Sequence, residues 1–104
     1  MQLQNTFIHH VFFWLKDNND NNRQQLIEGL QKLSAVKKIK QFHIGVPADT
    51  NRDVIENTYS VSWMIFFENA ADQDSYQVDP FHLNFVKECS HLWNRVTVFD
   101  SVNV

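Results

Sequence analysis

The sequence predicts an α+β fold with the element order β-α-β-β-α-β. Three observations predict it. Aromatic and β-branched residues alternate with period two in four short stretches, apolar residues recur at helical spacing in two others, and polar runs rich in Asn and Asp separate them.

Residues 7–15 read as the first strand, stopped by the run from Asp17 to Asn22, whose side chains suit a helix N-cap. The helix that follows runs to about Leu33. Leu26, Ile27, Leu30 and Leu33 share one face, and Gln24, Gln25, Glu28 and Lys32 the other. Gly29 either weakens this helix or marks a close approach to the sheet. A second strand is expected over 39–46, closed by Pro47, with 48–57 as a long hairpin loop. The clearest strand covers 59–67: Tyr59, Val61, Trp63, Ile65 and Phe67 point one way, Ser60, Ser62, Met64 and Phe66 the other. A helical stretch starts near Asn69, breaks at Pro80 and resumes to about His91, with Pro80 in a first turn where it has no hydrogen bond to lose. Residues 95–102 form the last strand. This order is the split-βαβ, ferredoxin-like arrangement, an antiparallel four-stranded sheet with its helices on one face.

At 104 residues the chain fits a single domain, 1–104, large enough for one core without staples. Nine Phe, three Trp and two Tyr are a large apolar payload for that length. The net charge of −3 argues against nucleic acid and anionic membrane as partners, and the short run Lys37, Lys38, Lys40 reads as a solvated strand entrance. One cysteine, Cys89, excludes an intrachain disulfide and suits a reducing compartment. With no visible signal peptide and no apolar run of membrane-spanning length, a cytoplasmic location is the expectation.

Alternation along the strands leaves both sheet faces largely apolar. On the first strand His9, Val11, Phe13 and Leu15 oppose Ile8, Phe12 and Trp14. Helices cover only one face, so the other exceeds what a soluble monomer leaves in water. Pairing two such sheets gives a C2 homodimer.

Four stretches carry a family resemblance: residues 9–17 (His-His-Val-Phe-Phe-Trp-Leu-Lys-Asp), Gly45 at the close of the second strand, residues 76–82 (Tyr-Gln-Val-Asp-Pro-Phe-His), and residues 96–100 (Val-Thr-Val-Phe-Asp). With them the chain resembles the stress-responsive A/B barrel (Dabb, dimeric α/β-barrel) family over nearly its whole length. The resemblance implies a homodimer whose two sheets close into a barrel with an internal cavity. In one branch, the plant polyketide cyclases, the pocket uses a Tyr and the last His of a His-Pro-x-His motif. Tyr76 and His82 stand at those positions here, and Asp79 replaces the first His. The family's first-strand His falls on His9 or His10.

An imidazole on an apolar helix face stays neutral and can accept a proton, so His82 is the candidate general base and Tyr76 its oxyanion partner. Both are expected catalytic residues, and His82 capping a helix inside a packed core is the structural alternative. His9, His43, Asp79, Phe85 and Trp63 are the expected substrate-binding residues, with a place in the dimer interface as the alternative for His9 and a surface position as the alternative for His43. Asp79 most simply supplies an N-cap carboxylate, or pairs with His82 and raises its pKa. No His or Cys spacing sets up a metal site, and with only two glycines no phosphate-cradling loop is possible. Cys89 reads as an inert core thiol. No cofactor is expected; the alternative is haem, with His82 or His91 as the iron ligand, because related dimeric barrels include haem-degrading monooxygenases. Three readings follow: a barrel binding a small apolar or aromatic ligand, with cyclase-, lyase- or isomerase-like proton transfer; a non-catalytic stress or scaffolding module with a filled barrel; and a haem-dependent monooxygenase.

Overall fold

A computed structural model describes residues 1–104, and its elements are β1 (Phe7–Leu15), α1 (Asp20–Leu33), β2 (Gln41–Gly45), β3 (Val61–Phe67), α2 (Ala70–Val78), α3 (Pro80–Cys89), a short 3-10 turn (Ser90–Leu92) and β4 (Trp93–Val102). The four strands form one antiparallel sheet in the order β2-β3-β1-β4. This is the ferredoxin-like arrangement expected from the sequence.

The helix starts come from side-chain caps. Asn19 accepts from the Asn22 amide, Asn69 from the Asp72 amide and Asp79 from the Phe81 amide, each at 2.8 Å. Asp79 ends α2 and caps α3 at once, with extended backbone at the joint and Pro80 as the first residue of the new helix.

Strand ends differ from the sequence expectation for local reasons. β2 is shorter than 39–46, although the Lys40 amide still reaches the Phe66 carbonyl at 2.8 Å. β3 begins at Val61: Ser60 stays tied to β1, its amide donating to the Phe13 carbonyl and its hydroxyl accepting from the Leu15 amide, while Tyr59 lies against Phe12 and Trp14 and not, as the alternation predicts, on the side of Val61 and Trp63. β4 begins earlier, at Trp93, which pairs with Leu15 across a register shift.

One face of the sheet carries the core. Val11, Phe13 and Leu15 of β1 and Val61, Trp63, Ile65 and Phe67 of β3 are buried against Leu26, Leu30 and Leu33 of α1 and Phe85 and Cys89 of α3. Complete burial of side chains this size contributes about 1.5–3 kcal/mol each. Gly29 is the residue that lets α1 and α3 close together, since a Cβ there would lie 2.5 Å from Cys89 Sγ and 3.3 Å from Phe85. The close approach is therefore to α3 and not, as the sequence suggested, to the sheet.

The other face has no helix over it. By register it presents Ile8, His10, Phe12 and Trp14 of β1, Met64 and Phe66 of β3, Gln41 and His43 of β2, and Arg95, Thr97 and Phe99 of β4. Phe12 meets Tyr59 and Phe99 edge-on, and the Arg95 guanidinium lies over the Trp14 ring at 4.1 Å. No helix of the chain is long and apolar enough to cross a membrane.

Gly29→Ala sets two effects against each other. The helix gains about 1 kcal/mol of propensity, and overpacking against Cys89 costs about 1–3 kcal/mol. The expected result is a net loss of stability in chemical denaturation, relieved when Cys89→Ala is added. A Gly29→Ala protein as stable as the parent would refute the close-packing account.

Candidate functional site

Three polar side chains meet on the helix-covered face, each brought by a different element. His9 comes from the middle of β1 and is 6% exposed. Tyr76 comes from the last turn of α2 and is 2% exposed. His82 comes from the first turn of α3, three residues past the joint at Asp79. Tyr76 and His82 have ring centroids 4.8 Å apart, and His9 meets Tyr76 at 5.9 Å.

Antiparallel register places Asp100 of β4 directly opposite His9, and its carboxylate lies 2.6 Å from His9 Nδ1. A carboxylate only accepts, so Nδ1 carries the proton in this pair. When the ring is neutral, its lone pair is then on Nε2. This is the way a base is oriented by a carboxylate behind it.

The Tyr76 hydroxyl accepts a hydrogen bond from the Trp63 indole N–H at 3.0 Å, both residues being fully enclosed. Burial pushes this hydroxyl above its ordinary range, a shift the Trp63 bond only partly offsets, so the group stays protonated. His82 shifts the other way. Burial lowers its pKa, the nearby Gln77 backbone works against that, His9 lowers it further and Asp79 raises it, with burial dominant. Its Nδ1 is buried and has no hydrogen-bond partner. A neutral ring with an unsatisfied buried nitrogen is costly in a packed core and useful next to a ligand.

These groups line a pocket of about 150 Å³ whose wall is mostly apolar, including Val11, Phe13, Phe85 and Trp93. Val86, Val96 and Val98 also line it and are 40–46% exposed, which puts its open side between α3 and β4. An apolar cavity of roughly this size holds a benzene-sized molecule. A larger groove of about 320 Å³ between α1 and α3 contains no buried titratable side chain among its lining residues. The smaller pocket, where buried polar groups converge, is therefore the candidate site.

The structure thus brings together five of the residues expected from the sequence, His9, Trp63, Tyr76, His82 and Phe85, and it selects His9 over His10. It leaves two out. His43 lies on the open face of the sheet, because it pairs with Met64 and so points away from Trp63. Asp79 spends its carboxylate on the Phe81 amide, and the net shift of His82 is downward, not upward. The pocket also lies inside one chain, between helices and sheet, and not between two sheets. Asp100, the partner of His9, was not among the site residues expected from the sequence. Its signal was a carboxylate in the strand Val96-Thr97-Val98-Phe99, where Asp is disfavoured unless something holds it.

Residues 7–103 match the family model described as the stress responsive A/B barrel domain. No curated protein matches the sequence. Among solved structures, the fold is similar to that of a Dabb family protein from Mesorhizobium loti (TM-score 0.78, 19% identity, covering 95% of this chain and 97% of that one). It is similar to a dimeric ferredoxin-like protein of unknown function from Bacteroides fragilis (TM-score 0.73, 17% identity, 98% and 100%). It is similar also to a hydroxynitrile lyase from Passiflora edulis (TM-score 0.76, 19% identity, 95% and 94%).

Two expectations test the electrostatics. In Asp100→Ala, His9 should lose its fixed tautomer and move its proton toward Nε2, the form free imidazole prefers, read from two-bond ¹H–¹⁵N correlations. An unchanged tautomer would show that Asp100 does not orient the ring. For His82, the folded pKa lies below the ordinary 6.5. Above both pKa values neither state is charged and nothing is lost. As the pH falls through the unfolded value toward the folded one, the unfolded chain takes up the proton first and stability drops. His82→Gln should flatten that acid loss in denaturation midpoints taken at about pH 7.5 and about pH 5.

Proposed function

The chain belongs to the stress-responsive A/B barrel domain family, and from that premise we propose that it is a homodimer in which each protomer binds a small apolar or aromatic carbonyl-type molecule and moves a proton on it. The observation that carries this reading is the unspent hydrogen bonding inside an apolar pocket. The His82 Nδ1 has no partner, and the Tyr76 hydroxyl accepts a bond but donates none to the protein.

In this reading His82, kept neutral by burial, takes a proton from an O–H or an acidic C–H of the ligand. Tyr76 donates to the ligand oxygen on which negative charge develops. His9, held by Asp100, presents a second lone pair to the same space. Trp63 and Phe85 supply aromatic wall. Lyase, cyclase and isomerase steps all use this set of groups, and a hydroxynitrile lyase shares the fold.

Self-association follows from the uncovered sheet face, where Phe99 is 64% exposed beside Phe12, Trp14, Met64 and Phe66. Such an aromatic and Arg-bearing surface has the make-up of an interface core. A cytoplasmic location is consistent with the single buried cysteine.

A second reading is favoured by the pocket's size. At about 150 Å³ it is far below the volume of most small-molecule sites. In that case the aromatics are packing, and the chain is a non-catalytic stress-related structural or interaction module.

Turnover of mandelonitrile and deuterium exchange at the α-carbon of acetophenone separate the two. The enzyme reading expects at least one to be accelerated, and His82→Ala to lower it about 10²-fold or more. Ligand shifts at Tyr76 and His82 without any turnover would leave a binding protein, and no shifts at all would leave the module. Phe99→Asp should halve the mass measured by light scattering. A parent protein that runs as a monomer would end the homodimer proposal.

A further inference from the structure

Trp63 looks at first like core filler, being 1% exposed in the middle of β3 and tilted against Phe42 at 5.5 Å. Its indole nitrogen, however, is spent on Tyr76. An indole N–H can only donate, so in this 3.0 Å bond the Tyr76 oxygen is the acceptor. The phenolic proton must then turn away from Trp63. No protein atom receives it, and the residues across the ring are His82 and His9 on the pocket wall. Burial keeps that proton on the oxygen.

We propose that Trp63 is a positioning residue: by occupying the Tyr76 oxygen it makes that hydroxyl a one-way donor, so the pocket selects ligands that bring a hydrogen-bond acceptor to it. This rests on the ligand-binding reading above and extends it to a class. A carbonyl, nitrile or alkoxide meets the hydroxyl correctly, and a ligand offering only an N–H or O–H proton there finds two donors facing each other. Without the indole N–H the hydroxyl is free to rotate and accept, so it is no longer held as a donor and the preference for an acceptor weakens. A Trp63 that merely packed would cost stability on substitution and leave ligand preference alone.

Benzaldehyde and toluene, similar in size and differing in the acceptor, are the probes, with affinities from ligand-observed NMR on the parent, Trp63→Phe and Tyr76→Phe. The parent should bind benzaldehyde about tenfold more tightly than toluene, the scale of one buried hydrogen bond. Tyr76→Phe should erase the preference. Trp63→Phe should cut it to about threefold or less with toluene affinity kept. The carbonyl stretch of bound benzaldehyde should sit lower in the parent than in Trp63→Phe. If that variant does not fold, benzothienylalanine at position 63 keeps the shape and removes only the N–H. An equal affinity of the parent for both probes overturns the one-way donor and leaves the pocket reading standing. A preference and stretch unchanged by removing the N–H leave Trp63 as packing and overturn the proposal. Neither probe binding the parent overturns it together with the pocket reading.

Discussion

The register of β1 between β3 and β4 is the constraint on which the rest of this structure depends. A strand has a side-chain period of two, so one choice of register decides every residue's face at once. Here it sets His9 against Asp100 and turns Trp63 inward to meet Tyr76. It also sends His10, Phe12 and Trp14 to the side no helix covers. A slip of one residue would bury His10 and lay His9 on the open face. The apolar weight of Val11, Phe13 and Leu15 against α1 and α3 is what forbids it.

Much of this was legible in the sequence, because the signals are local. The alternation of residues 61–67, the one-face leucines of α1 and the Asn and Asp caps each act within a few positions, and the structure follows them. The family motifs led to Tyr76 and His82. What was not legible depends on distance along the chain. The His9–Asp100 pair joins residues 91 apart, and only the pairing of strands β1 and β4 makes them neighbours. His43 was placed with the site because strand alternation alone does not say which of two apolar faces receives the helices. Gly29 carried the right signal and the wrong neighbour: a glycine marks close approach, but the partner is a tertiary fact.

The two faces of the sheet divide the work by how their polar groups are satisfied. On the open face, aromatic rings and the Arg95–Trp14 stack are left for a partner surface, which needs area more than chemistry. On the covered face, few polar atoms are present and nearly all are accounted for. Asp100 holds His9 and Trp63 holds Tyr76, so the atoms still free are free by arrangement. Low polarity also sets the protonation of the site, since burial holds His82 neutral and Tyr76 protonated in the same small volume.

The joint at Asp79 gives the site an unusual vulnerability to changes in chain length. Tyr76 and His82 sit on separate helices, coupled through one extended residue and a proline. Each residue of helix advances the side-chain direction by about 100°. Adding or deleting one position between them would turn α3 as a unit, taking His82 away from Tyr76 and, with it, Phe85 and Cys89 away from Gly29 of α1. The length of this joint is therefore guarded twice, by the pocket and by the core, and a lineage that gives up the chemistry still has to keep the spacing.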